Sequence, residues 1–92
     1  MFGKRITPIT YKEVVTALRS LGFEMVPKKA TAHEKWVLEA NGRRRVVIVD
    51  KHIAPFDKRL IKLMAQEAGM STKDFHQLCK NPGDFQPDFV ED

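Results

Sequence analysis

The sequence predicts an α+β domain, a three-stranded antiparallel sheet with helices on one face and the other face open. Three observations predict it. Two stretches repeat apolar residues at helical spacing, one before and one after the strand-like segments. Between them lie three short runs that alternate or are rich in β-branched residues. The second and third of these runs flank Asn41-Gly42, a strong two-residue hairpin signal. The chain has 92 residues, 42% hydrophobic and 30% charged, which suits one compact core and one shallow working surface.

Residues 1–9 read as a leader. Thr10-Tyr11-Lys12-Glu13 is a capping box: the Thr10 hydroxyl accepts a first-turn N–H, and the Glu13 carboxylate reaches back to the Thr10 N–H. Val14, Leu18 and Leu21 recur at helical spacing and Gly22 is a stop, so the first helix is read as Tyr11–Leu21. Residues 23–26 are short and apolar-rich, a first strand. Residues 27–32, with Lys28 and Lys29, form a basic loop. The pattern alternates from His33 to Ala40, the second strand, and Arg43 to Asp50 is the third. Ile53-Ala54-Pro55 leads into a second helix whose apolar stripe is Phe56, Leu60, Leu63 and Met64, ended by Gly69. Ser71 starts a further short helix, with Asp74 at its third position and Phe75 and Leu78 folding back on the core. The domain is therefore residues 10–80. Residues 81–92, with Pro82, Gly83, Pro87 and four acids, read as a mobile acidic tail.

A two-residue turn at Asn41-Gly42 pairs Ala40 with Arg43 and carries the register outward until His33 faces Asp50. Glu34, Trp36, Leu38, Ala40, Arg45, Val47 and Val49 then share the face that packs under the helices. The open face carries His33, Lys35, Val37, Glu39, Arg44, Val46, Ile48 and Asp50. Its apolar row, Val37, Val46 and Ile48, is of the kind that marks a partner surface.

Charge is unevenly placed. All 16 Lys and Arg lie within residues 1–80 beside eight acids, a charge of +8, while the last twelve residues hold Asp84, Asp88, Glu91 and Asp92 and no base, a charge of −4. A basic domain favours polyanions, nucleic acid first, although the same excess can serve solubility alone. Cys79 is the one cysteine, which excludes an internal disulfide. No apolar run is long enough for a membrane span, and no signal peptide is apparent, so the expected location is the cytoplasm. There is no nucleotide-binding glycine pattern, paired-carboxylate site or Ser-His-Asp constellation. His76-x-x-Cys79 is half a zinc site with nothing to complete it, so no metal or other cofactor is expected.

The pattern resembles the HicA (YcfA-like) toxins of bacterial toxin–antitoxin systems. The resemblance runs from about Thr10 to Leu78. It rests on Leu21-Gly22-Phe23, residues 29–36 around Thr31-Ala32-His33, the Asn41-Gly42 hairpin, Arg45-Val46-Val47-Ile48-Val49, and residues 60–69 followed by Met70-Ser71. It implies a fold like a double-stranded-RNA-binding domain, α-β-β-β-α, cleavage of mRNA, and neutralisation by a HicB-like antitoxin protein. The family motif is Gly-Ser-His at the start of the second strand. Here the place reads Thr31-Ala32-His33, so the histidine alone carries over.

RNA can be cut without a cofactor, because its own 2′-hydroxyl attacks the neighbouring phosphate. The protein must take that proton, return one to the leaving 5′-oxygen and stabilise the added negative charge. His33 is the acid–base candidate. Lys28, Lys29, Lys35 and Arg44 are candidates for RNA phosphate, and Asp50 is placed to orient the imidazole. His52, after the third strand, is a candidate second histidine. His33 also reads as an ordinary polar strand residue, and the altered Thr31-Ala32 pair keeps open a non-catalytic RNA-binding module on the same scaffold. A protein-interaction domain with no nucleic-acid role is a third reading. The acidic tail is expected either to fold over the basic surface and compete with RNA or to remain a plain terminus.

Overall fold

The computed structural model describes residues 8–26 and 33–83. In chain order they form α1 (Tyr11–Leu21), β1 (Glu24–Met25), β2 (His33–Ala40), β3 (Arg43–Asp50), a single 3-10 turn (Lys51–Ile53), α2 (Lys58–Ala68) and α3 (Thr72–Lys80). The sheet is antiparallel with order β1-β2-β3.

Local chemistry explains the element ends. The Thr10 hydroxyl accepts the Glu13 N–H at 3.1 Å and the Glu13 carboxylate accepts the Thr10 N–H at 2.9 Å, a complete capping box. Asp57 caps α2 and Ser71 caps α3 by the forward bond alone, each side chain accepting the N–H three residues on. Asn41 and Gly42 both adopt left-handed backbone, φ 54° and 74°, as a tight hairpin turn requires. The register follows from that turn: Ala40 faces Arg43, Trp36 faces Val47 and His33 faces Asp50.

The helix-facing side of the sheet supplies Trp36, Val47 and Val49 to the core. They pack with Val14, Val15 and Leu18 of α1, Ile61, Met64 and Ala65 of α2, and Phe75 and Leu78 of α3. Lys80, at the end of α3, reaches the Glu13 carboxylate at 3.3 Å and the Pro8 carbonyl at 3.5 Å. The two ends of the described domain are thereby clamped together.

Four local readings change. β1 is Glu24–Met25 rather than residues 23–26, because the Phe23 N–H donates to Leu18 O at 2.9 Å and closes the end of α1 instead of joining the ladder. Phe56 is not helical. It pairs through its backbone with Ile9, and α2 starts after the Asp57 cap. Ile9, assigned to the leader, is fully buried. Leu63 is 51% exposed, because α2 turns Ile61, Met64, Ala65 and Ala68 inward and the small alanines fill the stripe.

Candidate functional site

The end of the β2–β3 ladder brings the His33 imidazole and the His52 backbone N–H to one carboxylate. Asp50 ends β3, and its side chain caps the 3-10 turn, with Oδ1 accepting the His52 N–H at 2.9 Å. Aspartate favours this local bond to a backbone N–H two residues on. The other oxygen, Oδ2, lies 3.1 Å from His33 Nε2. The His33 side chain is 69% exposed and the Asp50 side chain 21%. An imidazole is thus held at one nitrogen by a carboxylate that the backbone itself orients, on the sheet face away from the helices.

The expected cations divide. Lys35 is exposed on the same face, two residues along β2 from His33. Arg44 is on that face too, but at the hairpin end and within 4.0 Å of Glu39. It lies six residue steps along β3 from Asp50, roughly 20 Å at strand rise. Lys28, Lys29, Thr31 and Ala32 lie outside the described residues. Arg45 is turned to the helix side, where its guanidinium occupies the space a side chain on Gly69 would need. The run Arg43-Arg44-Arg45 is therefore not one contact row. Of the apolar row, Ile48 is exposed, whereas Val37 and Val46 are half-buried.

Directly beneath this end lies a cluster that sequence reasoning missed. Glu34 is 4% exposed, next to His33 in sequence but on the opposite face. Its carboxylate accepts the Tyr11 hydroxyl at 2.8 Å and the Trp36 indole N–H at 3.0 Å, and lies 3.5 Å from Lys51 Nζ. Burial pushes the Tyr11 hydroxyl up to about 12, and the Glu34 carboxylate adds to the shift. Lys51 Nζ also sits 5.8 Å from the Tyr11 ring centroid. The signal in the sequence was a glutamate on the dry face two residues before the tryptophan, with tyrosine opening the first helix.

Elsewhere the side chains have structural settings. Cys79 is buried in the core and its thiol is pushed up to about 12 by that burial. His76 is on α3, and its Nε2 is buried with no hydrogen-bond partner among the described residues. Among the described residues no group of three or more His, Cys, Asp or Glu is arranged to hold a metal ion. None of the described helices is long and apolar enough to cross a membrane. A groove of about 490 Å³ lies between the end of α1 and β1, lined by Arg19, Phe23, Met25 and Trp36. Compared with known proteins, the chain matches no family model, no curated protein and no solved structure.

Proposed function

We propose that the chain is an endoribonuclease of the HicA-like kind, acting on mRNA with His33 as its acid–base group. One observation carries the reading: an exposed imidazole held 3.1 Å from a backbone-oriented carboxylate, on a sheet face that also bears Lys35. The 2′-hydroxyl of the substrate attacks the adjacent phosphorus and gives up its proton, and the bond to the 5′-oxygen breaks with protonation of that oxygen. The products are a 2′,3′-cyclic phosphate and a 5′-hydroxyl end. His33 suits both proton transfers, because imidazole exchanges protons near neutrality. Lys35, with Lys28 and Lys29 from the preceding loop, is assigned to the phosphate, and Arg44 to the strand further along.

The test is cleavage of a single-stranded RNA beside the same strand carrying 2′-O-methyl groups. Wild-type protein should cut the first only. His33→Ala should lower the rate by about 10²–10⁴-fold while the fold is retained. Cleavage at the wild-type rate by that variant would overturn the assignment.

A second reading is an RNA-binding module without cleavage, favoured by Thr31-Ala32 where the HicA motif has Gly-Ser. Salt-sensitive binding with no products would select it. In the toxin reading a HicB-like antitoxin covers the open face, seated on Val37, Val46 and Ile48, and the protein works in the cytoplasm. Ile48→Asp should then weaken the complex with a HicB-like protein encoded beside this chain. Unchanged affinity would remove Ile48 from that interface.

A further inference from the structure

Glu34 is the one buried charged residue among the described residues. Burying a carboxylate is costly, and an apolar side chain of similar volume at such a place is often neutral or stabilising. Its position gives a reason for the charge. Glu34 pairs across the sheet with Val49, the rung directly beside His33 and Asp50. Its three side-chain partners come from three elements: Tyr11 from the start of α1, Trp36 from β2, and Lys51 from the turn that follows β3. Lys51 is bonded in sequence to Asp50, and the Asp50 side chain is the cap of that same turn.

We propose that Glu34, acting through Lys51, is the positioning residue of the His33–Asp50 pair, an inference that rests on the ribonuclease reading for its functional consequence. From below the sheet Glu34 draws the Lys51 ammonium under the ladder end. This fixes the turn whose His52 N–H orients Asp50. Asp50 then keeps Oδ2 toward His33 Nε2, so the neutral imidazole carries its proton on Nε2. Tyr11 and Trp36 hold the Glu34 carboxylate in place from the other side. The catalytic pair on the wet face is aligned by an ion pair reaching in from the dry face.

The test uses the full chain with Lys51→Met, which keeps the aliphatic stem and removes the charge, and Glu34→Gln, which can still accept from Tyr11 and Trp36. Lys51→Arg is the conservative rescue. The first readout is the His33 tautomer by ¹⁵N NMR in the absence of RNA, with the far-ultraviolet and thermal profiles as the check on folding. Wild-type and Lys51→Arg proteins are expected to show the Nε2–H form. Lys51→Met and Glu34→Gln are expected to show a mixture of both tautomers. The second readout is cleavage, where kcat should fall by about 10-fold to 10²-fold with KM within about twofold, the pattern of a misaligned group. A folded Lys51→Met protein that keeps the wild-type tautomer would overturn the proposal, as would a wild-type protein lacking the Nε2–H form. Failure of wild-type protein to cleave RNA would count against the ribonuclease reading, while the tautomer comparison still decides the positioning role.

Discussion

At the first turn of α1, Glu13 serves the cap and the Lys80 clamp together. The Thr10 N–H, and after it Lys80, holds the Glu13 carboxyl below its ordinary value of 4.5, against an opposing effect of burial. A carboxylate depressed in the folded state adds stability that is present above its unfolded value and is lost as pH falls through the folded one. Glu13→Gln should therefore be less stable than wild type at pH 7, with the gap closing below about pH 4, measured by urea denaturation across pH. A gap of constant size would exclude the charge as its cause. Thr10→Ala should cost about 1 kcal/mol at pH 7. The capping box was legible because its four residues are consecutive. The Glu34 cluster was not, since its partners lie 23, 2 and 17 positions away and come together only through the packing of α1 against the ladder end. Glu34→Ala leaves a half-buried hydroxyl and a buried indole N–H without that acceptor, which should destabilise the domain by about 2–4 kcal/mol.

The hairpin and α2 show where pattern reading succeeds and where it slips. In the hairpin the turn is two residues long, so one local choice sets all eight rungs, and the alternation of wet and dry side chains follows with it. That is why the exposed face of His33 and its pairing with Asp50 are legible in the sequence. In α2 the difficulty was phase. Two apolar residues, Ile61 and Leu63, compete for one stripe, and the winner depends on Ala65 and Ala68, whose small size reads weakly as core. The contrast is measurable. Ile61→Ala should cost about 2–5 kcal/mol, because it opens a cavity at a fully buried site. Leu63→Ala should change stability by less than about 0.5 kcal/mol. Equal losses in urea denaturation would mean that the helix is rotated from the orientation described. β1 slipped for a different reason: Phe23 is apolar enough for a strand, but its N–H is taken by the end of the preceding helix.

Across the molecule, charge separates along the chain, with a basic domain and four acids in residues 84–92. In the ribonuclease reading proposed above, RNA binding should weaken steeply with salt, the logarithm of affinity falling by about 0.7 per phosphate contact for each tenfold rise in salt on a single strand. Neutralising Asp84, Asp88, Glu91 and Asp92 to their amides should raise RNA affinity at low salt and leave it unchanged at high salt. Equal affinities at low salt would show that the acids do not compete with RNA. The ends of the described domain lie on the same side, within reach of one lysine side chain, because Lys80 Nζ donates to the Pro8 carbonyl. A flexible peptide linker joining residue 83 back to residue 8 would therefore close a ring around the fold. Circularised protein gives up much of the freedom its unfolded chain would have. By the loop-closure relation it should resist urea by about 4–5 kcal/mol more than the linear form.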